Sequence, residues 1–116
     1  MSTTTQGAAA GYLEGLLADG ILKGTDIANV TDVSPATVSR WRKGSMRPHP
    51  QNELILSDLY YVTRRLQEYY SPSEVRSWLY ARHPQLNGER AIDLIHQDRT
   101  VEILKILDRL DAEAFL

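Results

Sequence analysis

The chain of 116 residues contains no cysteine. That absence excludes disulfide scaffolds, zinc ribbons, thiol nucleophiles and cysteine-ligated iron-sulfur clusters, and it fits a reducing cytoplasm. Long hydrophobic runs are missing as well. The longest, at 54–56 and 59–62, fall far short of the ~20 apolar residues of a membrane span, so no membrane partner is expected. Residues 1–7 have neither the charged nor the apolar region of an export signal, and read as a polar, disordered leader. Catalytic signatures are absent too: the chain has no HExxH, no phosphate loop and no G-x-S-x-G, and His49, His83 and His96 are scattered. No catalytic residue, metal or cofactor is expected, and the chain does not read as an enzyme. His96 near Asp93 and Asp98 reads as a surface histidine beside a helix N-cap aspartate.

The most informative absence is local. Between residues 34 and 50 there is no carboxylate, while Arg40, Arg42, Lys43 and Arg47 all fall there. The whole chain carries 13 basic and 15 acidic residues, so a patch of +4 sits on a chain that is otherwise clearly acidic. Nucleic acid is therefore a plausible partner for one face only. With 42% apolar and 24% charged residues, the chain can bury roughly 65% of its extended surface. Its length suits one domain or two small helical subdomains sharing a core.

The pattern predicts helices throughout. Tyr12, Leu13, Leu16 and Leu17 mark a first helix over about 8–22, weakened by Gly11 and Gly15. Thr25 reads as the N-cap of a second, short helix. Ser34 followed by Pro35 restarts the chain with a cap and a proline in the first helical position, and Gly44 supplies a left-handed stop. After Pro48 and Pro50, the residues Ile55, Leu59, Val62, Leu66 and Tyr69 recur at helical steps on one stripe. Ser71-Pro72-Ser73-Glu74 is a capping box, and predicts a helix over about 72–82 with Val75, Trp78 and Leu79 inward. Asn87-Gly88 reads as a tight turn, 91–95 as a short apolar piece, and Val101, Ile103, Leu104, Ile106, Leu107 and Leu110 as a last helix. The apolar stripe of that helix is wide enough to need contacts on two sides, from its own core and from a second subunit or partner. The fold class is all-α. A helix-turn-helix domain is expected over 8–50 and a second helical domain, suited to dimerisation, over 51–116.

Two short helices joined at Asp32-Val33-Ser34 match the spacing of a helix-turn-helix, whose second helix lies in the major groove. Val38 and Trp41 face the core, and Trp41 is read as core rather than as a base wedge. Ser34, Thr37 and Arg40 are the expected base-edge contacts, arginine suiting guanine O6 and N7. Arg42, Lys43 and Arg47 are assigned to phosphates, with Thr25 and Ser39 completing the DNA-binding set. Arg64 and Arg65 on the long helix suit an extended DNA footprint as well, but read first as a solvated face.

The string GTDIANVTDVSPATVSRWRKGSMRP, residues 24–48, resembles the helix-turn-helix of Xre-type regulators. Trp78-Leu79, Pro84-x-Leu86-x-Gly88, Ala91-Ile92-Asp93-Leu94-Ile95 and the helix from Val101 to Leu110 resemble the toxin-binding domain of the Xre/MbcA/ParS-type antitoxins. The resemblance spans about 24–116. It implies a homodimeric antitoxin and autorepressor that binds operator DNA and a cognate RES-domain toxin directed at NAD. In some family members the extreme C-terminus enters the toxin's active-site cleft, which implies toxin contacts at Asp111, Glu113, Phe115 and Leu116. Leu104, Leu107 and Leu110 are read as core or dimer contacts. Two other readings stand beside this one: a plain dimeric repressor without a toxin, and a scaffold or adaptor whose basic patch is incidental.

Overall fold

The structure, a computed structural model, describes residues 8–114. Its elements are α1 (Ala9–Ala18), α2 (Gly24–Thr31), α3 (Pro35–Lys43), α4 (Pro50–Leu66), α5 (Pro72–Tyr80), β1 (Arg82–His83), β2 (Glu89–Arg90), α6 (Ala91–His96) and α7 (Thr100–Glu113). No helix among them is long and apolar enough to cross a membrane. The all-α class holds, with one small addition: β1 and β2 pair antiparallel, Arg82 opposite Arg90 and His83 opposite Glu89. Two residues per strand are too few for an alternating pattern to show in a sequence.

The caps decide where the short helices begin and end. Ser34 Oγ accepts the Thr37 N–H at 3.2 Å, Pro35 fills the first turn, and Gly44 at φ +79° closes α3 as expected. Both halves of the capping box of α5 form, Ser71 Oγ accepting from the Glu74 N–H and Glu74 Oε1 from the Ser71 N–H. That helix stops at Tyr80 rather than near Arg82, because Ala81 turns to extended backbone and leads into β1. The hairpin closes through a short 3-10 turn, Pro84–Leu86, and then Asn87 and Gly88, both left-handed at φ +57° and +79°.

Three expectations need correction. Thr25 is not the N-cap of α2: cap and helix start both lie two residues earlier, and Asp26 reaches back to accept the N–H of Lys23, the true cap, at 2.6 Å. The first helix ends at Ala18, so Ile21 and Leu22 are buried from a loop. Tyr69 leaves the α4 stripe, since that helix ends at Leu66 and the ring is exposed.

One cluster of buried residues runs through the chain. It holds Leu13 and Leu16 of α1, Ile27 of α2, Val38 and Trp41 of α3, Leu56, Leu59 and Leu66 of α4, Val75 and Leu79 of α5, and Ile103 and Leu107 of α7. The long α4 is the spine, packed against α1 on one side and α6 and α7 on the other. Burying this apolar set out of water is the main force holding the helices together.

Candidate functional site

On α3 the steps of an ideal helix place Val38 and Trp41 about 60° apart, and both are buried. The opposite side is centred on Ala36, Ser39, Arg40 and Lys43, all exposed, with Thr37 on one edge and Arg42 on the other. Ser34 and Thr37 are joined through their hydroxyls at 3.0 Å, so the cap doubles as a small polar ledge at the N-terminal end. The carbonyl of Arg40 accepts the N–H and the hydroxyl of Ser45, at 3.0 and 3.3 Å, which pins the far end. Among the described residues, no carboxylate pairs with Arg40, Arg42 or Lys43. Arg47 is exposed beyond the helix, and Thr25, the second residue of α2, is exposed as well. Ala36 is the residue that the charge pattern could not disclose. Its methyl group carries no charge, and only its place at the centre of the face marks it.

At the other end of the molecule the expected toxin-facing residues divide. Asp111 faces the C-terminal end of α4, where its carboxylate accepts from Arg65 Nη2 and, just beyond the helix, from the Tyr69 hydroxyl, each at 2.5 Å. Arg65 also donates to Asp108 at 3.1 Å and to the Tyr61 hydroxyl at 3.3 Å, and its side chain is only 16% exposed. The solvated face expected for Arg65 is therefore wrong, because its fork ties α4 to α7. The bond from Tyr69 holds the Asp111 carboxyl below the ordinary carboxylate range, and the same bond pushes the Tyr69 phenol up to about 12. Glu113 lies on a different side. With Tyr70, Trp78, Ile106, Arg109 and Leu110 it lines a shallow cavity of about 170 Å³ between α5 and α7. Phe115 and Leu116 lie outside the described residues, as do residues 1–7.

The wide stripe of α7 is only partly used. Ile103 and Leu107 are buried and Leu104, Ile106 and Leu110 half-buried, but Val101 is 61% exposed. On the neighbouring α4, Leu54 and Tyr61 are exposed too.

A third polar cluster joins the two halves of the chain. Asp26, buried in α2, is gripped by Arg76 of α5 at 2.7 and 3.2 Å and by the Tyr80 hydroxyl at 2.6 Å. Burial alone would raise its pKa, but the hydrogen bonds from Arg76, Tyr80 and the Lys23 N–H outweigh that and hold the carboxyl below its ordinary value. His96 does not sit beside an N-cap aspartate, as its neighbours in the sequence suggest. Its Nδ1 lies 2.8 Å from the Val30 carbonyl and its Nε2 3.5 Å from Asp32, which ties α6 to the end of α2. Asp93 is occupied by Arg90 at 2.8 and 2.9 Å. No group of three or more side chains suited to hold a metal ion occurs among the described residues.

Known proteins resemble this chain at both levels. No protein-family profile matches it. A probable mycobacterial cidal antitoxin of Mycobacterium tuberculosis, Rv3188, is 35% identical over 92 residues, which cover 78% of this chain and 73% of the relative. The mycobacterial cidal antitoxin MbcA of M. tuberculosis is 24% identical over 91 residues, covering 78% of this chain and 80% of the relative. In three dimensions the chain is similar to one in the crystal structure of the M. tuberculosis MbcT-MbcA toxin-antitoxin complex. The TM-score is 0.77 across 97% of this chain and 98% of that one, at 23% identity, a likeness of fold.

Proposed function

The chain belongs to the mycobacterial cidal antitoxin family, and on that premise we propose that it captures and blocks a partner toxin and represses its own operon through DNA. The toxin half of this reading is supported by relatives named as antitoxins and by the likeness to a chain of a toxin-antitoxin complex. The resemblance read from the sequence narrows the partner to a RES-domain toxin directed at NAD. The protein then acts in the cytoplasm, as a binding protein and not as an enzyme.

The observation that carries the DNA half is the face of α3. A helix capped at both ends, turned so that Arg40, Arg42 and Lys43 meet solvent without a carboxylate partner, has the form of a recognition helix in a helix-turn-helix, with α2 as its support. Ser34, Thr37, Ser39 and Arg40 meet base edges in this reading. Arg42, Lys43, Arg47 and Thr25 hold phosphates. A homodimer sets two such helices roughly 34 Å apart, one turn of DNA.

Two measurements test it. If Arg42, Lys43 and Arg47 each neutralise a phosphate, the logarithm of DNA affinity falls with the logarithm of salt at a slope of roughly −3 per chain. A flat salt response rejects DNA binding. For the toxin, the full chain and a chain truncated after Asp111 serve as bait in the native organism, with retained proteins identified by mass spectrometry. A stoichiometric partner that consumes NAD once freed supports the reading. Recovery of the chain alone leaves a homodimeric repressor.

A further inference from the structure

The recognition helix α3 packs on α1 and α2, and both of those are attached to the rest of the molecule by seams of different chemistry. The α1 seam against α4 is apolar and aromatic. Tyr12 and Tyr60 meet with ring centroids 5.3 Å apart, and Gly15 lies under the Tyr60 ring. Contacts of that kind hold by close packing and carry no hydrogen-bond direction of their own.

The α2 seam also buries apolar side chains, Ile27, Ala28 and Val30, but adds directional polar bonds to them. Arg76 forks onto both oxygens of Asp26 and also donates to the Ile21 carbonyl at 3.1 Å, and Tyr80 adds its hydroxyl. Two guanidiniums lie by the Tyr80 ring, Arg76 at 5.1 Å and Arg90 at 5.5 Å from its centroid, with Arg90 held in turn by Asp93. Beside these bonds the packing of α2 on α6, which buries Val30 and Ile92, leaves an open cleft. Its volume is about 300 Å³, and it is lined by Asn29, Tyr80, Arg90, Asp93 and His96 among others. Apolar burial carries little direction of its own, so the bonds beside it add the angular constraint. A bidentate guanidinium–carboxylate pair constrains angle as well as distance.

We propose that Arg76 and Tyr80, through their grip on buried Asp26, are positioning residues that set the angle at which α3 is presented to DNA. The proposal rests on the DNA reading above for its functional consequence, but not for its geometry. Arg76 and Tyr80 lie on α5 and spend their hydrogen bonds on Asp26 and Ile21, not on α3, so they act through α2. A residue that merely stabilised the fold would leave DNA affinity unchanged at temperatures where the variant is fully folded.

The test uses the full chain. Because it has no cysteine, the changes Ser39→Cys on α3 and Ser77→Cys on α5 take two spin labels without background, and dilution with unlabelled chain isolates the distances within one molecule. Unlabelled protein is titrated with a duplex enriched by the wild-type chain from a randomised pool. Arg76→Met is expected to broaden the label distance distribution and to weaken the duplex at least tenfold with helicity retained. Arg76→Lys, which keeps the charge but loses the fork, should not restore affinity. An unbroadened distribution, wild-type affinity in Arg76→Met, or full rescue by Arg76→Lys each overturns the proposal, the last by showing that charge alone matters. Should Arg76→Met fail to fold, Tyr80→Phe removes a single hydroxyl and carries the same two readouts. If the wild-type chain enriches no duplex, the DNA reading fails, and the label distances still decide whether the Asp26 grip orients α3.

Discussion

The ring of Tyr60 stands where a side chain on Gly15 would have to go: a Cβ there would lie 2.5 Å from Tyr60 Cε1. Tyr60 has little room to yield, since it packs on Tyr12 and lies under the guanidinium of Arg64, 5.7 Å from its centroid. Gly15 is thus the point at which α1 comes close to α4. Gly11, one turn earlier, faces open space.

The two glycines should therefore respond in opposite ways to alanine. Gly11→Ala removes backbone freedom from the unfolded chain and is expected to stabilise by about 0.5 to 1 kcal/mol. Gly15→Ala gains the same helical preference but forces the Tyr60 ring aside, with a net loss of about 1 to 2 kcal/mol. Thermal melts of the two variants check this, and equal shifts would show that the ring moves freely.

Acid should unfold the protein through its carboxylates. Asp93 is held below its ordinary value chiefly by its bond to Arg90, Glu102 by Arg99, and Asp111 by Tyr69, while for Asp26 the bonds from Arg76, Tyr80 and Lys23 overcome burial. Each such group binds a proton more weakly folded than unfolded. The stability it contributes is complete above its unfolded value, 3.8 for aspartate and 4.5 for glutamate, and is lost as pH falls through the lower folded value. Circular dichroism should show a melting temperature that is flat above about pH 5 with respect to these groups and falls steeply below pH 4. Asp26→Asn should shrink that acid-dependent loss.

Much of the basic face is legible in the sequence, because its punctuation is local. Ser34, Pro35 and Gly44 bound α3, and the spacing of Val38 and Trp41 tells which side is buried. The capping box at Ser71 and Glu74 places the start of α5 in the same way. What stays hidden is long-range. Asp26 and Arg76 are 50 residues apart, and Arg65 and Asp111 are 46 apart. No periodicity links such partners, and a charged residue on a helix reads as solvated until its opposite number is seen across the fold. Thr25 misleads for a related reason. A threonine beside an aspartate looks like a cap, but Asp26 uses its longer reach to close on Lys23 and moves the helix start back.

At high pH the phenol of Tyr80 offers a second titration. Burial and then the bond to Asp26 push it up to about 12, from 10.0 in the unfolded chain. The neutral phenol is the form the fold favours, so its contribution is complete below pH 10 and is lost as pH rises toward 12. Tyr69, bonded to Asp111, also titrates at about 12. Phenolate absorbance should therefore show two late ionisations in the wild type and one in Tyr80→Phe. Two in the variant would place the Tyr80 hydroxyl away from Asp26.

The basic face divides into residues that read and residues that hold. Arg40, on the outward face next to Ala36 and the Ser34–Thr37 ledge, is assigned to a base edge, and Lys43 to a phosphate. Arg40→Ala should cost about 1 to 3 kcal/mol on an enriched duplex and relax base preference, whereas Lys43→Ala should weaken every duplex alike and lower the salt slope by about 1. Competition between enriched and random duplexes separates the two. Identical effects of both variants on both duplexes would remove the assignment.

The acidic end of α7 should separate folding from capture. Asp111 is spent on Arg65 and Tyr69, so Asp111→Asn is expected to lower the melting temperature, and any weakening of toxin capture should accompany that loss of stability. Glu113 is exposed beside the Trp78 and Ile106 cavity and is free of the α4 ties. Glu113→Gln should leave the melting temperature unchanged, and if the end of α7 meets the toxin it should weaken capture on its own. Melts and pull-downs of the two variants side by side check this. Capture that survives Glu113→Gln, and that for Asp111→Asn follows stability alone, would move the toxin contact away from the end of α7. The exposed Leu54, Tyr61 and Val101 of α4 and α7 would then be the next surface to substitute.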